Sequence, residues 1–272
     1  MRFLRQEHGL SLRRSCQALG LSRTVFAYQP RPRDDGQIIK ALTSLAEQYP
    51  RCGFGKLFPL VRRQGHGWNH KRVYRVYCAL RLNLRRKGKK RLPSRNPQRL
   101  MAPEMANLSW SVDFMSDVLY GGQRFRTFNV VDDFNREALA IEVDTNLPAA
   151  RVTRVLDRVA AWRGYPARLR LDNGPELVSI AMAEWAEDHG VALDFIQPGK
   201  PTQNSFIERF NRTYREEVLD LYVFSRLSEV RDITEEWLRQ YNEERPHEAL
   251  GNLTPAEYLA FKKLEVSTID WH

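Results

Sequence analysis

WSVDFMSDVLY, residues 110–120, decides how the rest of the chain is read. Its side chains alternate. Trp110, Val112 and Phe114 point one way, and Ser111, Asp113 and Met115 the other, which is the period of a strand. Two more strand-like runs follow, QRFRTFNVVDDF (123–134) and REALAIEVD (136–144), after polar Gly-Gly and Asn-Arg turns. Three strands in succession predict an antiparallel meander. PAARVTRVLDRVAAWRG (148–164) then reads as a helix, with Pro148 at its start and Gly164 at its end. Val152, Val155, Leu156 and Val159 form its apolar face. ARLRLD (167–172) is a strand, SIAMAEWAEDHG (179–190) a helix closed by Gly190, and ALDFIQ (192–197) a strand. TQNSFIERFNRTYREEVLDL (202–221) reads as one long helix and LSEVRDITEEWLRQYNEE (227–244) as another. This order implies an α/β fold, a mixed sheet with helices packed on its faces.

The chain before this core has a different texture. Residues 11–28, SLRRSCQALGLSRTVFAY, read as two short helices around Gly20, with Ser22 as the second N-cap, a spacing shared by helix-turn-helix motifs and plain helical hairpins. After a Pro/Gly break at 29–36, helical runs resume with IIKALTSLAEQY, GKLFPLVRRQG and NHKRVYRVYCALRL. In the last, Asn69 is the expected N-cap. Val73, Val76, Tyr77 and Leu80 form a buried stripe, while Lys71, Arg72 and Arg75 occupy other faces. Residues 85–99, RRKGKKRLPSRNPQR, combine many Lys and Arg with two Pro and no acid, so they read as an extended basic linker. The expected division is a helical, helix-turn-helix-like DNA-binding region at 1–84, a basic Pro-containing linker at 85–105, and the α/β core with C-terminal helices at 106–272.

Charge supports that division. Across 272 residues the formal net charge is +10, but basic residues crowd the first hundred and acids the remainder. A basic N-terminal region suits phosphate contacts, which release counterions. Hydrophobic residues make up 42% of the chain, enough for a core, which excludes disorder of the whole. Cys16, Cys52 and Cys78 are too widely spaced for a CxxC pattern and read as reduced thiols. No apolar run approaches the ~20 residues of a membrane span, and the N-terminus lacks the apolar stretch of a secretory signal. These features lead to the expectation of a cytoplasmic, nucleoid-associated protein with no membrane partner.

Why the C-terminal part holds its carboxylates is the functional question. Asp113 lies within the first strand, Asp172 ends the strand ARLRL, and Glu208 lies on the long helix, with 35 residues between it and Asp172. One helix and one strand fill that interval, so the chain can return Glu208 to the strand end carrying Asp172. Clustered carboxylates repel and raise one another's pKa unless a divalent cation sits among them. Oxygen-only ligands suit Mg²⁺ or Mn²⁺, and a pair of such ions is the usual arrangement for phosphoryl transfer. Taken singly, each acid has a plain structural reading, and Asp117, Asp132 and Asp133 compete for the role. On the long helix, Asn204, Glu208, Asn211, Arg212 and Arg215 share a face beside the stripe Ile207, Phe210, Tyr214, Val218 and Leu221. That face could serve a metal and its adjacent phosphates, or hold an ordinary Glu208–Arg212 surface pair.

The runs WSVDFMSD, FNVVDDFNRE, LRLDNGPE, IQPGKPTQNSFIERFNRTYREE and YNEERPHEALGNLTPAEY resemble OrfB transposases of the insertion-sequence family three, within the retroviral-integrase-like DDE superfamily. The resemblance is dense over 105–260 and looser over 40–90. It implies an RNase H-like core, with a mixed five-stranded sheet flanked by helices and Asp113, Asp172 and Glu208 as a Mg²⁺- or Mn²⁺-binding catalytic triad that holds two ions. It further implies hydrolysis at the element ends to give a 3′-OH, followed by attack of that 3′-OH on another phosphodiester. Double-stranded DNA, at element ends and target, is the implied partner. Lys71, Arg72, Arg75, Arg85, Arg86, Lys87, Lys89, Lys90, Arg91, Lys200, Asn204, Arg212 and Arg215 are the expected DNA contacts. A homo-oligomer on DNA and an upstream OrfA partner or fusion also follow from the resemblance. Leu171, Arg209 and the Arg212-Thr213 pair depart from the commoner residues of such proteins, but none is a ligand. A catalytically dead DNA-binding repressor and a structure-specific nuclease of the same fold are the rival functions. Thr254 to Glu257 form a capping box, and His247 reads as a packed histidine.

Overall fold

The computed structural model describes residues 1–29, 34–84, 100–197 and 201–269. It divides into two compact units, Met1–Lys40 and Ala41–His272. The first holds three short helices, α1 (Arg2–Gln6), α2 (Leu12–Ala18) and α3 (Arg23–Ala27). Ser11 and Ser22 cap α2 and α3 by accepting from the Arg14 and Val25 amides. Gly20, at φ +63°, makes the turn between them, a conformation in which a side chain would be strained.

Helix α4 (Gly36–Gln48) begins at the end of the first unit and continues into the second, where α5 (Phe54–Arg63) and α6 (His70–Ala79) follow. Their apolar stripes bury Leu42 and Leu45, Leu57 and Val61, and Val73, Val76 and Tyr77. Asn69 caps α6 by accepting from the Lys71 amide at 2.9 Å. The composition break at 85–105 is not where the contacts divide. Residues 41–84 are tied to the C-terminal helices: the Tyr49 hydroxyl donates to Glu244 at 2.7 Å, and Arg63 pairs with Glu257 at 2.5 Å. The basic stretch 85–99 lies outside the described residues.

The five strands are β1 (Trp110–Val118), β2 (Arg124–Asp132), β3 (Ala138–Asp144), β4 (Arg168–Leu171) and β5 (Ala192–Phe195), in the order β3-β2-β1-β4-β5. The meander β1-β2-β3 is antiparallel, and β4 and β5 extend it in parallel beside β1. Helix α7 (Ala149–Arg163) links β3 to β4, and α8 (Ile180–Asp188) links β4 to β5. Both pack on the face of Trp110, Val112, Phe128 and Val130. The other face, with Met115, Phe125 and Val131, is covered by α9 (Ser205–Tyr214) and α10 (Leu227–Glu243). The alternation read along β1 therefore assigns each residue to its observed layer. Helix α11 (Pro255–Ile269) ends the described chain. Its capping box is formed, with Thr254 Oγ1 accepting from the Glu257 amide and Glu257 from the Thr254 amide. No helix among the described residues is long and apolar enough to cross a membrane.

The long helix expected over 202–221 is a composite. A 3₁₀ turn at Pro201–Asn204 leads into α9, which runs on into a π turn at Arg215–Leu219. The Asp220 amide reaches the Arg215 carbonyl at 2.7 Å, closing the wider ring. The additional residue moves the apolar stripe by one position. Leu219 is buried in place of Leu221, which is 36% exposed.

Candidate active site

Strands β1 and β4 run parallel, with Trp110 beside Leu169 and Ser111 beside Arg170. The paired register ends there, and Asp172 is the first residue after β4. Leu169 and Leu171 pack into the same layer as Trp110 and Val112. The period of two turns Asp113 to the opposite face, under α9. Helix α9 is held there because Ile207, Phe210 and Tyr214 bury against that face. Glu208 and Asn211, three residues apart, share one side of it. Asn211 Nδ2 donates to Asp113 Oδ2 at 2.7 Å, and Asn129 Nδ2 donates to Asn211 Oδ1 at 2.7 Å. An amide chain thus runs from β2 through α9 to the carboxylate on β1.

The Asp113 carboxyl is pushed up to about 6. Burial is the largest cause, opposed by the Phe114 amide, which donates to Oδ1 at 2.8 Å. The negative charges of Asp172 and Glu208 raise it further, and the Asn211 hydrogen bond pulls it down. Charges from two distant segments therefore reach the Asp113 carboxyl. Among the described residues, no group of three or more His, Cys, Asp and Glu side chains is arranged to hold a metal ion as it stands. Both Asp113 oxygens are engaged by hydrogen bonds, though each keeps a second lone pair. The donor chemistry fits a hard divalent cation: only oxygens, with a partly buried carboxylate whose ionised form is opposed by the charges of Asp172 and Glu208.

Asp172 opens a tight turn in which the Gly174 amide donates to its Oδ1 at 3.0 Å. A Cβ on Gly174 would sit 3.0 Å from that same oxygen. Beyond the turn, Glu176 pairs with Arg126 of β2, and the guanidinium holds its carboxyl below the usual carboxylate range.

The competing acids have structural partners. Asp133 is buried, accepting from Ser111 at 2.6 Å, Ser109 at 2.8 Å and Arg170 at 2.8 Å. Asp132, also buried, accepts from Arg163, from the Asn107 amide and from the Phe134 amide. Asp117 pairs with Arg215 at 3.0 Å. That pairing, with the bond from Arg215 to the Ser116 carbonyl at 2.9 Å, commits Arg215 to holding the π turn on β1. Asn204, another expected DNA contact, is only 3% exposed, so its side chain lies inside the protein. Lys71, Arg72 and Arg75 are exposed on α6, and Arg212 is exposed on α9, one turn from Glu208. No Glu208–Arg212 ion pair forms among the described residues. Arg85, Arg86, Lys87, Lys89, Lys90, Arg91 and Lys200 lie outside them. The sequence reading did not single out Asn129, Arg126 or Arg170. Asn129 carried a signal: it is a polar residue inside the apolar run FNVV, and a buried amide needs partners.

Residues 103–201 and 189–255 match two families that are both described as integrase core domain. The chain is 42% identical over 261 residues to the uncharacterized 31.7 kDa protein of insertion element IS407 from Burkholderia multivorans, covering 96% of this chain and 94% of that one. It is 41% identical over 252 residues to the 39.2 kDa protein of IS476 from Xanthomonas euvesicatoria, covering 92% and 73%. Transposase InsD for insertion element IS2D of Escherichia coli is 25% identical over 242 residues, covering 84% and 80%. Among solved structures, the HTLV-2 integrase catalytic core domain in complex with magnesium aligns at 14% identity with a TM-score of 0.44, over 57% of this chain and 97% of that one. With nearly its whole length shared with insertion-element proteins and an integrase core laid over the five-stranded sheet, the chain belongs to the insertion-sequence transposases of the retroviral-integrase-like DDE superfamily.

Proposed function

We propose that Asp113, Asp172 and Glu208 are the catalytic triad of this transposase. In this reading they hold Mg²⁺ or Mn²⁺ and cut DNA at the element ends to leave a 3′-OH, which is then joined to a target strand. One observation carries the reading: Asp113 lies on β1, Asp172 follows the end of the neighbouring strand β4, and the charges of both Asp172 and Glu208 act on the partly buried Asp113 carboxyl, which α9 also reaches through Asn211. When bound, one or two such ions would activate the attacking oxygen and stabilise the leaving one. Asp113 would supply oxygen ligands from β1, Asp172 from the turn after β4, and Glu208 from α9. Asn211 keeps the Asp113 carboxylate turned toward the helix. Water attacks in the first step and the DNA 3′-OH in the second, so no serine or tyrosine nucleophile is required.

Lys71, Arg72 and Arg75 on α6, with Arg212 beside Glu208, are the proposed phosphate contacts. The basic residues 85–91 and Lys200 would extend that path. The helices of Met1–Lys40 are proposed to add a second DNA-binding element. Two DNA ends must be handled, so the working form is proposed to be a homo-oligomer on DNA, with an upstream OrfA product as partner or fusion.

The test is cleavage and strand transfer on duplexes carrying the element ends, with Mg²⁺ or Mn²⁺. Asp113→Asn, Asp172→Asn and Glu208→Gln should each abolish both reactions while leaving DNA binding intact. Binding without cleavage by the wild-type chain would make it a repressor. Cleavage without joining would make it a nuclease.

A further inference from the structure

Arg126 lies on the face of the sheet opposite the three acids. Its guanidinium sits over the Phe114 ring, 4.3 Å from the centroid, and ion-pairs with Glu176. Phe114 follows Asp113 in β1 and donates its amide to that carboxylate. Glu176 stands four residues beyond Asp172, in the segment between β4 and α8. One side chain therefore touches the strand beside the first acid and the segment behind the second. That segment is otherwise lightly held. Asn173, Pro175 and Val178 are exposed, and apart from the bonds within its own turns and to Ser179, the segment is tied by the bond from Asn173 to the Ile196 carbonyl at 3.0 Å and by buried Leu177.

We propose that Arg126 is a positioning residue: by clasping Glu176 against Phe114, it sets Asp172 relative to Asp113 and so sets the affinity of the site for a divalent cation. The inference rests on the ion-binding reading of the triad. A partly exposed ion pair adds little to global stability. The effect of this one is local, like that of other groups that orient ligands from behind.

The experiment titrates the full chain with Mn²⁺ and follows free ion by electron paramagnetic resonance. Arg126→Ala and Glu176→Gln should each weaken binding about tenfold or more. The thermal midpoint of the ion-free protein should barely move. Arg126→Lys, which keeps the charge, should bind more tightly than the alanine variant. Wild-type affinity in both Arg126→Ala and Glu176→Gln overturns the proposal, as does a lysine variant no better than alanine. Should Arg126→Ala fail to fold, Glu176→Gln alone decides. If wild-type protein binds no Mn²⁺ that Asp113→Asn removes, the ion-binding reading falls and takes this inference with it, an outcome separate from failure of the clasp alone.

Discussion

Asn211 holds Asp113 Oδ2 at 2.7 Å while accepting from Asn129 at the same distance, so one amide joins two strands to a helix at the centre of the site. Asn211→Ala removes the donor to the carboxylate and leaves the Asn129 amide buried without its partner. Destabilisation of about 1–3 kcal/mol is expected, the cost of an unsatisfied buried polar group. Urea unfolding measures it. The Asp113 carboxyl should also rise above its wild-type value, because the lost hydrogen bond lowers it. Carbon-13 NMR titration of the side chain would detect a shift in either direction.

The raised Asp113 carboxyl makes stability depend on pH. It titrates at about 6 in the folded chain, against about 3.9 when unfolded. The folded state therefore binds the proton more tightly, and the favourable contribution is fully present below about pH 4. It is lost as pH rises through 6. The difference amounts to roughly 3 kcal/mol. Without divalent ions, Asp113→Asn should be more stable than wild type at pH 8, and the gap should close toward pH 4. Chemical denaturation at both pH values measures it. An equal gap at the two would show that Asp113 is not the titrating group.

Gly174→Ala places a methyl carbon 3.0 Å from Asp172 Oδ1. The carboxylate has to shift, while the exposed side of the turn has room. End cleavage should fall by roughly tenfold to a hundredfold, the scale of a misplaced catalytic group, with a thermal midpoint close to wild type. Cleavage assayed beside a melting curve separates the two effects.

Arg170→Met leaves Asp133 buried with its guanidinium partner gone. A loss of about 3–5 kcal/mol is expected, as for one partner removed from a buried pair. Arg170→Met combined with Asp133→Asn should recover much of it. Because the pair is buried, added salt should change the loss little. Urea midpoints at low and high salt measure both outcomes.

The succession of the five strands and the two faces of the first were legible because Trp110, Val112 and Phe114 repeat with the period of a half-buried strand, and that pattern is local. The approach of Glu208 to Asp172 was legible only as a return of the chain to the same strand end. That β4 lies beside β1 is a long-range fact. The break in the helix after Tyr214 was hidden, since REEVL has ordinary helical propensity and the π turn arises from packing both Val218 and Leu219. Arg215 was misleading for a related reason. Its spacing from Glu208 suggested a phosphate contact, but Asp117, an acid from another strand, claims it. The boundary near residue 105 followed composition, which records charge, whereas Tyr49 and Arg63 reach across it to Glu244 and Glu257.

Those two clasps have a mechanical consequence. The helix bearing Lys71 and the segments bearing the three acids belong to one compact body, Ala41–His272. A duplex gripped at one station and cut at the other would be measured by the protein's own span, as with a calliper. The number of base pairs from recognised sequence to nick would then be a constant of the molecule.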